Sequence, residues 1–133
     1  MKNSYLLMVL VLSTYASVSS ADVVEQLLVE YSGQSNVEFD SNKGKTLWTK
    51  SYNDNKDPQA RSCATCHTEN LAAVGKHAKT RKPIDPLAPS INAERLTDAK
   101  TIEKWFLRNC KWTMGRECTA EEKGHFLKFI SAQ

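Results

Sequence analysis

Cys63-Ala64-Thr65-Cys66-His67 is the stretch on which the reading of this chain turns. Two thiols three positions apart, with an imidazole directly behind the second, fit on one short turn. From there they can bond one edge and one face of a flat macrocycle. This C-x-x-C-H pattern attaches haem c: both thiols add across the vinyl groups, and the histidine offers its imidazole to the iron. Two rival readings fail on context. A zinc site needs two more ligands, and Cys110 with Cys118 does not make a second C-x-x-C knuckle. A thioredoxin-like redox pair needs a strand–helix–strand setting, and no strand pattern runs through the sequence.

Toward the N-terminus, Lys2 gives a basic start, residues 6–12 are apolar and residues 17–21 are small and polar. This pattern predicts a secretory signal over 1–21, cleaved after Ala21, in preference to an uncleaved anchor. The apolar run is far short of the ~20 residues that span a bilayer, and no later segment qualifies. Residues 22–133 then make one exported, soluble domain. It is small for a self-sufficient core, so a buried haem and a disulfide would both help it fold. The formal net charge is +3, and removing the signal takes Lys2 away. No concentrated basic face of the kind that nucleic acid requires is evident. Lys76, Lys79, Arg81 and Lys82 do cluster, which fits a docking patch, a loop pairing with haem propionates, or a solvated loop.

The remaining elements are helical. Val23, Val24, Leu27, Leu28 and Tyr31 recur at helical spacing, and the polar stretch 32–42 reads as a linker. A second helix is expected over about 42–52, turning Leu47 and Trp48 inward, with 54–61 as a loop. Pro83, Pro86 and Pro89 exclude a regular helix and predict an extended segment able to wrap a flat cofactor. Residues 98–109 form a helix capped by Thr97 or Asp98, with Ile102, Trp105 and Phe106 on one stripe. Thr119-Ala120-Glu121-Glu122 fits a capping box ahead of Phe126, Phe129 and Ile130. The class is all-α: a small cytochrome c fold with three to five short helices around one covalent haem.

The chain has four cysteines. With Cys63 and Cys66 on haem, Cys110 and Cys118 are left in an oxidising compartment, where a disulfide is the expected state. Closing that short loop is worth about 2–3 kcal/mol. His67 is the proximal ligand, and its second ring nitrogen should donate to a backbone carbonyl, with the proline segment as the expected source. The sixth position is open among several side chains. Met114 is the one methionine beyond the signal, and haem–methionine ligation is the familiar arrangement, so spacing favours it. Alternatively Met114 packs against Trp112 or the haem edge. Asn109 reads as a helix C-cap, His125 as a surface residue, and His77, in a basic loop, as exposed or as a neighbour of the iron ligands.

Longer blocks carry a family resemblance. They are Cys63-Ala64-Thr65-Cys66-His67-Thr68, Gly75-Lys76-His77-Ala78-Lys79-Thr80 and the run from Lys82 through Pro83, Pro86 and Pro89 to Ser90. Glu103-Lys104-Trp105-Phe106-Leu107-Arg108-Asn109-Cys110 and Gly115-Arg116-Glu117-Cys118-Thr119 add to them. Together these resemble the sphaeroides haem protein (SHP) family of bacterial monohaem cytochromes c, over roughly residues 42–130. The resemblance implies a class I cytochrome c fold, His67 as proximal and Asn109 as distal ligand, and a Cys110–Cys118 disulfide beside it. It therefore reverses the preference for Met114. It implies a periplasmic cytochrome that accepts electrons from a dihaem cytochrome c and a membrane cytochrome b. The iron would bind O₂, NO or CO when Asn109 dissociates on reduction. Whether O₂ or NO is turned over is left open. A plain electron carrier with His67–Met114 ligation, and a gas sensor or store without turnover, remain the alternatives.

Overall fold

Nine short elements organise the chain in a computed structural model that describes residues 19–54 and 57–133. They are helices α1 (Ser20–Ser35) and α2 (Ser41–Thr49), strands β1 (Tyr52–Asp54) and β2 (Asp57–Arg61), and the one-turn helix α3 (Ala64–His67). Strands β3 (Gly75–Lys76) and β4 (Pro83–Ile84) follow, then helices α4 (Ala99–Met114) and α5 (Ala120–Ser131). The expected signal segment lies outside the described residues except for 19–21. Of these, Ser19 caps α1 in a reciprocal capping box with Asp22.

Helix α5 is the hub. Phe126, Leu127, Phe129 and Ile130 are all buried, Leu127 completely. On one side Leu127 meets the α1 stripe of Val23, Val24, Leu27, Leu28 and Tyr31, together with Ile102 of α4. On another, Phe126, Phe129 and Ile130 meet Trp48 of α2, Leu71, Ala88 and the Cys110–Cys118 pair. Tyr31 also fastens α1 laterally. Its hydroxyl donates to Glu103 of α4, whose other oxygen accepts from Lys123 Nζ of α5 at 2.6 Å. Burial, reinforced by that carboxylate, raises the Tyr31 pKa well above the usual phenol range.

Several boundaries move from the sequence expectation, each for a physical reason. Helix α1 runs through 32–35 to a left-handed cap at Asn36 (φ 53°), so the linker shrinks to residues 36–40. Helix α2 starts earlier and stops sooner than expected, capped by the Asp40 carboxylate, which accepts from the Asn42 and Lys43 amides. Helix α4 continues past Asn109 to Met114 and ends at Gly115, which supplies the left-handed φ of 72°. Asn109 is therefore an interior helical residue, not a cap. The loop expected at 54–61 contributes an antiparallel ribbon instead, with Tyr52 opposite Arg61. A second ribbon pairs Gly75 with Ile84 and Lys76 with Pro83. Both are too short to leave an alternating pattern in the sequence, and helices dominate the fold as expected.

His125 is the clearest correction. It was expected at the surface and is 2% exposed. Its Nδ1 accepts from the Asp40 amide at 2.9 Å, and the Phe39 ring meets it edge-on at 5.7 Å. The reason is that α1 and α2 cover α5 from two sides, so its buried arc is wider than one stripe of apolar residues announces.

Helices α2 and α5 approach so closely at Gly44 that a Cβ there would lie 2.1 Å from the His125 carbonyl oxygen. Backbone cannot yield as a side chain can, so Gly44→Ala is expected to destabilise the protein by about 2–3 kcal/mol. Gly33, on α1, has nothing within 4 Å of such a Cβ. Gly33→Ala should instead stabilise by about 0.5–1 kcal/mol through helix propensity. Denaturant unfolding of the two variants beside the wild type checks both signs.

Candidate functional site

One cavity of about 740 Å³ opens between α3, α4 and α5, a volume suited to a sizeable organic ligand. Trp48, Leu87, Leu96, Ile102, Phe106 and Phe126 give it largely apolar walls. Cys63, Cys66 and His67 all line it, as the five-residue motif predicted.

The turn that carries them is held locally and from outside. The Ser62 amide donates to Thr65 Oγ1 at 2.9 Å, and the His67 amide donates to the Cys63 carbonyl at 3.2 Å. Behind it, Thr68 adopts φ 63° and ψ 174°, a region nearly reserved for glycine that costs about 1–3 kcal/mol. Trp48 Nε1 donates to its carbonyl at 2.9 Å, and Thr68 Oγ1 donates to the Asn70 carbonyl at 2.7 Å. These two bonds hold the strained residue. The opposite flank is closed by β3, where a Cβ on Gly75 would fall 2.3 Å from the Cys66 carbonyl oxygen.

The donor set fits a haem of the c type. Cys63 and Cys66 are free of disulfide bonding. Burial pushes the Cys63 thiol up to about 12, keeping it protonated. Burial, with a smaller contribution from the Arg95 guanidinium, pushes the His67 imidazole down to about 4. A neutral imidazole with a free nitrogen lone pair is the form that binds a metal. Among the described residues no hydrogen bond is made to the His67 ring; Trp48 lies beside it at 5.7 Å between ring centroids.

Helix α4 supplies the facing groups. Ile102, Trp105, Phe106, Asn109 and Thr113 line the cavity at helical spacing, with Met114 at the helix end. Both candidates for the sixth ligand thus border the same space, but in different settings. Met114 Sδ lies 3.8 Å from Cys118 Sγ. That sulfur is bonded to Cys110, so the approach is a packing contact and not a hydrogen bond. Asn109, by contrast, makes no side-chain hydrogen bond among the described residues and is exposed to the cavity. His125 lies outside the cavity wall. His77 is at the cavity margin, and its Nδ1 accepts from the Lys79 and Thr80 amides at 3.3 and 3.1 Å. The basic cluster 76–82 is the exposed turn closed around that ring.

Three further residues escaped the sequence reading. Arg95 lines the cavity and is fixed by the Pro86 and Asp85 carbonyls, both at 2.9 Å. Arg61 sits 4.3 Å above the Trp112 ring and donates to the Trp112 carbonyl at 3.2 Å. Thr113 is buried beside Asn109. Only the last had a usable signal, its i+4 spacing from Asn109, and that required knowing that α4 continues.

Residues 34–130 match a family described as a domain of unknown function, DUF1924. The chain is 37% identical over 108 residues to the cytochrome c-type protein SHP of Cereibacter sphaeroides, covering 81% of this chain and 82% of that protein. It superposes on oxidised SHP, an oxygen-binding cytochrome c, with a TM-score of 0.75 at 35% identity, covering 83% of this chain and 96% of the other. Cytochrome c'' of Methylophilus methylotrophus is 37% identical over 87 residues, 65% of this chain and 60% of that protein. Its solution structure, which addresses haem-ligand detachment, superposes with a TM-score of 0.72 at 28% identity over 86% of this chain and 93% of the other.

The disulfide loop that borders this wall is braced by Arg116, which donates to both Glu122 oxygens at 2.8 and 2.7 Å. The Glu122 carboxyl is held below its usual range, chiefly by that hydrogen bond. A carboxylate with a lowered folded-state pKa contributes stability above its ordinary value of 4.5 and loses it as pH falls through the lowered one. The half-exposed guanidinium limits the contribution to about 1 kcal/mol. Arg116→Ala should therefore unfold more easily than wild type at pH 6. The two should converge as pH falls through that lowered value and the carboxyl is protonated, as read by urea denaturation at each pH.

Proposed function

The chain belongs to the SHP family of c-type cytochromes and matches DUF1924, and from that premise we propose a periplasmic monohaem cytochrome whose iron site opens when Asn109 lets go. The observation that carries this reading is the placement of an unpartnered Asn109 carboxamide on the wall of the cavity that Cys63, Cys66 and His67 also line. A single haem c, joined through thioethers to Cys63 and Cys66, would supply an iron that takes two axial ligands or, with one released, a diatomic gas such as O₂, NO or CO.

His67 would hold the proximal side, its imidazole kept neutral by burial. Asn109 would hold the distal side through its amide oxygen. That oxygen is a hard, weak donor, matched to ferric iron better than to ferrous. Reduction would therefore free the carboxamide into the cavity. Asn109 sits within α4, one residue before Cys110, whose disulfide to Cys118 pins the next turn. The side chain can then swing on a backbone that stays in place. The sulfur of Met114 is packed against that same disulfide, which favours Asn109 over Met114 as the ligand.

Oxygen binding by the SHP relative supports the gas-binding reading. Haem-ligand detachment in cytochrome c'' supports the release of a side chain. Electrons would come from a dihaem cytochrome c and a membrane cytochrome b. The exposed turn of Lys76, Lys79, Arg81 and Lys82 beside the cavity would be the docking edge. No described helix is long and apolar enough to cross a membrane, in keeping with a cytochrome released into the periplasm after cleavage at Ala21.

Optical spectra of the ferric, dithionite-reduced and CO-treated holoprotein test this. The reduced wild type should be high-spin and shift on CO. Asn109→Val should turn the ferric protein high-spin while changing the reduced one little, and Met114→Leu should leave both states nearly intact. A ferric spectrum unchanged by Asn109→Val overturns the assignment.

A further inference from the structure

Thr113 stands one turn beyond Asn109 on α4, at the i+4 spacing that brings side chains together on one helix face. It is 4% exposed. A buried threonine inside a helix commonly donates back to the carbonyl four residues earlier. This protein does so elsewhere: Thr46 donates to Asn42 at 3.0 Å and Thr49 to Lys45 at 3.3 Å. Thr113 has the Asn109 carbonyl available and does not use it. Its hydroxyl has no hydrogen-bond partner among the described residues. Yet no inaccessible side-chain nitrogen or oxygen there is left without one. The little surface that Thr113 keeps must therefore include its hydroxyl, and the space it borders is the cavity.

A hydroxyl at the wall of a largely apolar cavity, with no partner among the described residues, is free to donate its proton to a ligand there. Its neighbours in the chain compete little for it: Cys110 is locked to Cys118, and the Met114 sulfur lies against that disulfide. We infer that Thr113 is the hydrogen-bond donor to a diatomic gas occupying the place that Asn109 vacates, and so sets the preference for dioxygen over carbon monoxide. The inference rests on the proposed role of Asn109. Its chemistry is selective because dioxygen gains acceptor character on binding ferrous iron, whereas carbon monoxide gains little. A single donor in a site sheltered from water then separates two ligands of nearly equal size.

The experiment uses the reduced holoprotein as wild type, Thr113→Val and Thr113→Ser. Gas dissociation rates are read by stopped-flow displacement, and the C–O stretch of the carbonyl complex by infrared spectroscopy. Thr113→Val should speed dioxygen release about tenfold, the loss of one hydrogen bond, and leave carbon monoxide release within about twofold. It should also shift the C–O stretch, and Thr113→Ser should restore wild-type values. A proportional change for both gases, no change for either, or a serine variant that behaves like valine overturns the assignment of Thr113 and leaves that of Asn109 standing. A wild-type reduced protein that takes up neither gas overturns both.

Discussion

A helix of one turn cannot hold itself. Forming its first hydrogen bonds fixes more backbone than they repay, yet α3 must present two thiols and an imidazole to one wall with their relative positions fixed. Much of the surrounding structure meets that constraint. Trp48 reaches across from α2 to the Thr68 carbonyl, Gly75 lets β3 lie against the Cys66 carbonyl, and Thr65 ties back to Ser62. The strain at Thr68 is tolerated because these contacts over-determine it.

The second wall is built on the opposite principle. Helix α4 is long, regular and capped at both ends, by Asp98 and by Gly115. The Cys110–Cys118 disulfide and the Arg116–Glu122 pair then fix its last turn to the start of α5. A rigid backbone with an unengaged side chain at Asn109 would suit the ligand release proposed for it. Were the backbone itself mobile, releasing the ligand would also loosen the loop behind it. The buried hub of α5, packed against α1 and α2, adds Phe126 and Ile130 to the cavity lining.

Between the walls, the proline-rich segment works as a strap. Its prolines deny it a helix, and the chain fastens it by other means. Leu87 and Ala88 donate to the Leu71 carbonyl at 2.9 and 3.0 Å, and Arg95 clasps the Asp85 and Pro86 carbonyls. This segment brings an arginine close enough to His67 to help keep the imidazole neutral.

The sequence by itself determined what depends on spacing along the chain. That includes the turn carrying Cys63, Cys66 and His67, the helical class, the stripe of α1, the capping box of α5 and the pairing of the two remaining cysteines. Each is a local pattern whose physics is complete within a few residues. Only the tertiary structure decided where α4 stops, that His125 is buried, that the 52–61 stretch pairs as a ribbon, and that Asn109 and Thr113 share the cavity wall. Those outcomes depend on which faces neighbouring elements cover, and spacing cannot report that. A histidine is buried or exposed according to whether α2 lies over it, and a threonine's hydroxyl is committed or free according to what its helix faces.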